Sequence, residues 1–249
     1  MDIKIAERKA WKIVKNYLNI RVYEKKICAP YFINDVGMYF GKLLRDTGIN
    51  TERIKLVFDI YNNRGIPYGW YRGKGSPKQI EQSVLEIAEI KNVDLNTSSS
   101  EGVREFMRSV GLGVDCSGFV YNTLAVAVGE ERLIDGLDWF SQERNIYKAG
   151  ARSFSGFGFK KILPNQVRSL DIIYLENPEP HVALVLMGHG KLWTVQSTSR
   201  IIPPGVAVDE LRIENKKPVF CFKPYVGRSW EELYDIGKLR FARLGEIEE

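Results

Sequence analysis

The sequence predicts an α+β fold, with helices in the first half of the chain and an antiparallel sheet in the second half. The first observation is a helical spacing of apolar residues near the N-terminus, as in IAERKAWKIVKNYL. The second is a change after about residue 168, where short segments are rich in β-branched and aromatic residues and are separated by Gly, Pro and Asn. Segments in that order are typical of the α+β class.

The first half of the chain is expected to contain two helical regions and a loop between them. Residues 1–60 are expected to form a helical N-terminal extension. The glycine- and proline-rich stretch NRGIPYGWYRGKGSP then predicts a loop. Two helices are expected within residues 77–110, on either side of the polar hinge DLNTSSSE, where Ser98 and Glu101 have the spacing of a capping box.

The second half is expected to form an antiparallel meander. Its predicted strands are SLDIIYL, HVALVLM, KLWTVQS, VAVDELRI and PVFCFKPY. The segment after them, residues 231–249, is expected to be a C-terminal tail. The main domain is therefore expected to cover residues 61–230.

Composition and charge exclude several function classes. The chain has 249 residues, of which 44% are hydrophobic, and a net charge of +5 with a pI near 9.0. The basic residues are scattered and accompany no nucleic-acid motif, so no nucleic-acid partner is expected. No apolar run approaches the roughly 18 residues of a membrane span. The N-terminal MDIKIAERKAWKIVKNYLNI lacks the apolar block of a secretory signal, so we expect a cytoplasmic protein, with non-classical or phage-mediated export as the alternative.

The cysteines Cys28, Cys116 and Cys221 form no disulfide or metal pattern. They are odd in number, widely spaced and without a CxxC pair, so neither a disulfide framework nor a cysteine zinc site is expected. No metal or other cofactor is predicted, and a reducing compartment is the simpler interpretation. Cys28 and Cys221 are expected to be buried structural residues.

The stretch GVDCSGFV makes Cys116 a candidate nucleophile. A helix is predicted from Cys116 to Val128, with Asp115 as its N-cap and Gly129 as its stop. In the first turn of a helix, unpaired amides and the dipole lower the pKa of a thiol, which favours the reactive thiolate. Gly118 is expected to keep this turn slim, so that a substrate backbone can approach. The alternative is that Cys116 is a buried structural cysteine.

The base that a cysteine nucleophile needs is expected to be His181. The chain has only two histidines, His181 and His189. His189 lies in MGHGK, which predicts an exposed hairpin tip where a base is poorly held. His181 opens the strand HVALVLM, where the backbone fixes the position of its ring.

Gln196 is predicted to orient His181. If HVALVLM and KLWTVQS pair around a turn centred on Gly188 and His189, His181 lies opposite Gln196, and opposed side chains point to the same side of a sheet. Gln196 would then accept the imidazole N–H, as the third member of a catalytic triad does. The alternative is that Gln196 is a polar residue on a solvated face, and a one-residue slip of register would separate the two side chains.

With Cys116, His181 and Gln196 in this order, the sequence resembles the NlpC/P60 cysteine peptidases, a papain-like family. Five segments carry the resemblance over about residues 61–225: GIPYGWYRGKG, GVDCSGFV, SLDIIYL, HVALVL and KLWTVQSTS. The resemblance implies a papain-like fold, in which a central helix bearing the cysteine packs on an antiparallel sheet.

The resemblance also implies a reaction and a substrate class. A thiolate–imidazolium pair of Cys116 and His181 would cleave an amide through an acyl-enzyme, and family members commonly cut the γ-D-glutamyl to diamino-acid bond of peptidoglycan peptides. Tyr68, Asp115 and Ser117 resemble the pocket that receives the free amino end of the substrate, with Asp115 supplying negative charge. Simple loop packing is the alternative for Tyr68, and an N-cap role alone for Asp115. The expected partner is a peptide substrate, with peptidoglycan fragments as candidates.

Some positions depart from the family pattern. A long insertion, at about residues 75–110, separates Tyr68 from Cys116, and Leu170 and Ala183 stand where the family often has glycine. These departures leave the substrate open. Two other functions stay open as well: a non-catalytic domain that binds a peptide or cell-wall fragment, and an acyl or amide transferase that uses the same thiolate.

Overall fold

In a computed structural model, the protein has the α+β architecture that the sequence predicts. The structure describes residues 2–32, 73–137, 150–156, 158–176, 180–222 and 228–245. Within these residues there are six helices, a two-stranded hairpin and a seven-stranded antiparallel sheet. None of the helices in this part of the chain combines the length and apolar character needed to cross a membrane.

The elements follow one another in a simple order. The helices are α1 (Ile3–Leu18), α2 (Pro77–Ile90), α3 (Ser100–Ser109), α4 (Cys116–Val128), α5 (Glu130–Gly136) and α6 (Trp230–Asp235). The hairpin consists of β1 (Ile20–Val22) and β2 (Lys25–Ile27). The sheet strands are β3 (Phe159–Ile162), β4 (Ile172–Leu175), β5 (His181–Gly188), β6 (Lys191–Thr198), β7 (Gly205–Glu214), β8 (Lys217–Phe220) and β9 (Leu239–Leu244). Their order across the sheet is β3-β9-β4-β5-β6-β7-β8, so the predicted meander from β4 to β8 is confirmed.

The helices predicted around the hinge and the cysteine are confirmed, with one change at a cap. α2 and α3 lie within the predicted region 77–110, and α4 has the predicted ends. The N-cap of α3 is Ser99, whose side chain accepts the N–H of Gly102, and not the predicted Ser98. A capping residue stands directly before the first helical residue, and α3 begins one residue later than predicted.

The N-terminal region is only partly helical, which corrects the expectation for residues 1–60. Helix α1 is present, but the chain then turns back on itself in the hairpin of β1 and β2. Ile20, Val22 and Ile27 are buried in this hairpin. Ile20 and Val22 are two residues apart, and that spacing of apolar residues favours a strand over a helix. Residues 33–60 lie outside the described part of the chain.

The predicted tail over residues 231–249 is instead partly a helix and a strand of the sheet. Strand β9 lies between β3 and β4 and pairs with both. Arg243 on β9 donates two hydrogen bonds to the Asp171 carboxylate, at 2.7 and 2.9 Å, and Asp171 is almost fully buried. A buried carboxylate requires such a partner, so the C-terminal strand is an integral part of the sheet.

Helix α4 lies at the centre of the larger of two apolar cores. Most of its residues are buried, as expected for a helix that is apolar on nearly all sides. On one side the ring of Phe119 lies 5.2 Å from that of Tyr17 on α1. On another side, Val182 and Leu184 of β5 belong to the same core. The start of α4, where Cys116 stands, is therefore held on a rigid scaffold.

Gly118, in the first turn of α4, is expected to be intolerant of substitution. An added Cβ would lie 2.2 Å from the backbone oxygen of Gly73, which accepts the backbone N–H of Asp115 at 2.9 Å. The backbone that approaches Gly118 is therefore the chain's own, and the expectation that this space receives a substrate backbone is wrong. Gly118→Ala is expected to lower the free energy of unfolding, measured by urea denaturation, by about 1–3 kcal/mol, because the added methyl group would overpack the site.

A matched control is Gly102→Ala, which changes the corresponding position in the first turn of α3. Its added Cβ would meet nothing closer than the Ser99 hydroxyl at 3.4 Å. Alanine favours a helix over glycine, so this variant is expected to be as stable as the original protein or slightly more stable. Equal losses of stability in the two variants would contradict the close approach at Gly118.

Candidate active site

Asp115 and the start of α4 fix the position of Cys116. The Asp115 carboxylate accepts the backbone N–H of Gly118 at 2.6 Å, which confirms its predicted role as N-cap. Cys116 is the first residue of the helix and is 7% exposed.

The pKa of the Cys116 thiol is raised to about 11, mainly because burial penalises the thiolate and also because the Asp115 carboxylate is adjacent. Backbone hydrogen bonds from Val182 and Ser117, together with the Lys74 ammonium, act in the opposite direction. The expectation that the helix N-terminus lowers this pKa is therefore wrong. A helix dipole contributes on the order of 1 kcal/mol, which is less than the cost of desolvating a buried charge.

His181 and Gln196 are joined by a hydrogen bond, with the imidazole Nε2 2.9 Å from the amide Oε1. The register that predicted their contact is corrected, since Gly188 pairs with Lys191 and the turn consists of residues 189–190. The strands are thus shifted by two residues from the prediction. An even shift keeps side chains on the same face, which explains why the two residues still meet.

Gln196 is fully buried, at 0% exposure, which excludes the alternative of a solvated face. Its carbonyl oxygen can only accept a hydrogen bond, so the Nε2–H of His181 donates and Nδ1 keeps a lone pair that can take a proton. Among the residues that the structure describes, the Gln196 Nε2 has no hydrogen-bond partner. An unpaired buried amide costs about 1–3 kcal/mol, and natural proteins tolerate such costs chiefly at functional sites.

His181 is uncharged at neutral pH. Its pKa is lowered to about 4, chiefly because burial penalises the imidazolium and also because the positive charge of Arg200 is close. The hydrogen bond to Gln196 and the charge of Asp115 oppose this shift. The Trp230 ring covers one side of the imidazole edge-on, with 5.9 Å between ring centroids.

The structure brings Cys116 to the end of β5 at which His181 stands. The backbone hydrogen bond that Cys116 receives from the sheet comes from Val182, the residue after His181. Val182 belongs to the core around α4, and the His181 ring packs against Trp230. The Cys116 thiol and the His181 imidazole therefore both lie beside the first residues of β5.

Asp115 and Ser117 lie together, as the resemblance implies, but they already bind a lysine. The Lys74 Nζ lies 2.9 and 2.6 Å from the two carboxylate oxygens of Asp115 and also hydrogen-bonds the Ser117 hydroxyl. The role of Lys74 is not predictable from the sequence, because nothing in its loop distinguishes it from a surface lysine. Tyr68 lies outside the described residues.

Three other positions bear on the predictions. His189 is exposed at the hairpin tip, as predicted. Cys221 is exposed and not buried as predicted, because β8 ends at Phe220. Leu170, where the resemblance expects a glycine, has a φ of 71°, in the left-handed region that favours glycine.

Comparison with known proteins leaves the family open. No protein-family model matches the sequence, and no curated protein is significantly similar to it. The resemblance to the NlpC/P60 peptidases therefore depends on the motifs and on the geometry described above. In the part of the chain that the structure describes, no group of three or more His, Cys, Asp or Glu side chains is placed to hold a metal ion.

The lowered pKa of His181 is expected to make stability depend on pH between 6.5 and about 4. The unfolded chain binds this proton more readily than the folded protein. The contribution of neutral His181 to the free energy of unfolding is therefore fully present above pH 6.5 and is lost as the pH falls from 6.5 through about 4. At about 1.4 kcal/mol per pKa unit, His181 accounts for a loss on the order of 3 kcal/mol. Urea unfolding at pH 7 and at pH 4 should show this part of the loss in the original protein and not in His181→Asn. An equal loss in both proteins would contradict the lowered pKa of the His181 imidazole.

Proposed function

We propose that the protein is a cysteine hydrolase that cleaves an amide bond, with Cys116 as nucleophile, His181 as base and Gln196 as the residue that orients the base. The proposed substrate is a peptidoglycan-type peptide, cut at the bond between a γ-D-glutamyl group and a diamino acid. One observation carries the proposal: the His181–Gln196 hydrogen bond lies at the end of β5 that also contacts Cys116.

The burial of Gln196 supports a functional role for this pair. A buried apolar residue at this position would avoid the cost of the unpaired amide nitrogen. The benefit of the glutamine is that its carbonyl sets the imidazole tautomer and stabilises the imidazolium once it forms. The backbone at Leu170 supports the resemblance as well, because it has the conformation that the family's glycine adopts readily.

The proposed reaction has two steps. The thiol proton moves to Nδ1 of His181 while Sγ attacks the carbonyl carbon, and the amine leaves with that proton as a thioester forms on Cys116. A water molecule then gives a proton to His181 and attacks the thioester, which releases a carboxylic acid and restores the thiol. The net reaction is an amide plus water giving an acid and an amine.

The proton transfer accompanies the attack and does not precede it. With pKa values of about 11 for Cys116 and about 4 for His181, the pair rests as thiol and neutral imidazole. The ion pair that the resemblance implies would thus form only as the substrate reacts. The raised thiol pKa is also the one observation that favours the alternative, a domain that binds wall peptides without cutting them.

Mass spectrometry of defined wall peptides tests the proposal. Tri- and tetrapeptides with a γ-D-glutamyl linkage, each with its amino end either free or acetylated, are incubated with the protein. We expect at least one of these forms to yield two products whose masses sum to that of the peptide plus water. The α-linked isomers serve as the matched control and should remain intact. Intact γ-linked peptides together with measurable binding would favour the binding domain.

A further inference from the structure

We propose that Lys74 is an internal ammonium that occupies the cation site beside Cys116, so that the protein acts on substrates with no free amino group at that position. This inference rests on the proposed function for its substrate class, and it reverses the expectation that Asp115 and Ser117 receive the amino end of the substrate. Lys74 is thus a specificity-determining residue and not a catalytic one.

The side chains that flank Cys116 surround the Lys74 ammonium. Its Nζ donates to both oxygens of the Asp115 carboxylate, at 2.9 and 2.6 Å, and to the Ser117 hydroxyl. An ammonium has three N–H donors, and these three acceptors match that number. Lys74 is 5% exposed, so this is a buried ion pair and not a surface contact.

The Asp115 carboxylate has little capacity left for a second cation. Its Oδ1 also accepts the Ser117 hydroxyl at 2.9 Å and the backbone N–H of Gly118 at 2.6 Å. The single negative charge of Asp115 is balanced by the single positive charge of Lys74. A substrate ammonium would therefore enter a site whose charge is already neutral.

Several backbone contacts hold Lys74 in place. Its backbone forms a bridge with Val114, and its carbonyl accepts the Asn122 side-chain N–H at 3.1 Å. The adjacent carbonyl, that of Gly73, accepts the N–H of Asp115 at 2.9 Å and occupies the space that Gly118 leaves free. The ammonium is thus part of the folded structure and does not have to be recruited from solvent.

A free amino group on the substrate should therefore be rejected. It would place a second positive charge beside a buried lysine, and like charges in such a setting disfavour binding strongly. An acetylated amine or a continuing peptide bond carries no charge and avoids this repulsion. We expect a preference for the uncharged form on the order of tenfold or more.

Thiol modification tests the charge of the site without requiring any turnover. Methyl methanethiosulfonate is neutral and 2-aminoethyl methanethiosulfonate is cationic, and each converts a thiol to a mixed disulfide. The ratio of their rates at Cys116 is measured by peptide mass spectrometry, with the exposed Cys221 as the reference in the same chain. We expect the neutral reagent to be favoured at Cys116 by about tenfold or more relative to Cys221. Lys74→Met should remove this preference or reverse it, and Lys74→Arg should retain it.

The same ratio at Cys116 and at Cys221 in the original protein would overturn the inference. Since this comparison uses the original protein, it can overturn the inference even where Lys74→Met does not fold. The matched free and acetylated wall peptides give a second test, in which the acetylated form should have the higher kcat/KM. A higher kcat/KM for the free form would overturn the inference, whereas no turnover of either form counts against the proposed function and leaves the reagent ratio to decide the role of Lys74.

Discussion

Replacing Cys116 with alanine is expected to abolish amide hydrolysis while leaving the protein folded. The proposed acyl-enzyme forms on this sulfur, so its removal should lower kcat by about 10⁴-fold or more. The fold should survive, because alanine replaces a small side chain in the first turn of a helix that Asp115 still caps. Product formation from γ-linked peptides and the thermal unfolding midpoint are measured on the same preparation.

The other two cysteines supply matched controls for this variant. Cys28→Ala and Cys221→Ala remove thiols that are partly buried and exposed, respectively. Both variants should retain the original rate, because neither thiol contacts the end of β5 at His181. A folded Cys116→Ala variant that still cleaves the peptide would exclude Cys116 as the nucleophile.

Replacing His181 with asparagine is expected to have a similarly large effect. Without the imidazole, the thiol loses its proposed base, and kcat should fall by about 10³-fold or more. Asparagine can still hydrogen-bond, so Gln196 is not left wholly unpaired and the loss of stability should be moderate. Steady-state kinetics at pH 7, with circular dichroism to confirm the fold, give the measurement.

His189→Asn is the matched control for the histidine. His189 lies at the exposed hairpin tip with a φ of 52°, a conformation that asparagine tolerates well. This variant should keep the original rate and stability. If the two histidine variants lose activity to the same extent, His181 is not the specific base.

Local signals in the sequence were sufficient to predict the helix that carries the candidate nucleophile. Asp115 supplies an N-cap and Gly129 a stop, and the helix between them has the predicted ends. The contact of His181 with Gln196 was predicted from a register that is wrong by two residues. That prediction succeeded because alternation along a strand depends only on whether a shift is odd or even.

Features set by distant parts of the chain were not predictable in this way. Strand β9 joins the sheet by pairing with β3 and β4. Its Arg243 binds the buried Asp171, which lies far away in the sequence. The burial of Lys74 likewise depends on the fold that places Asp115 and Ser117 beside it. The pKa of Cys116 was predicted in the wrong direction, because the helix terminus is visible in the sequence and the burial is not.

In the proposed mechanism, the Cys116 thiol and the His181 imidazole act as one pair on an amide. The most direct test of this pairing is acid quenching of the reaction within seconds, followed by digestion and mass spectrometry of the peptide that contains Cys116. A thioester on Cys116 is expected in the original protein, with none in Cys116→Ala and a greatly reduced amount in His181→Asn. Acylation of His181→Asn at the original rate would contradict the pairing of these two side chains.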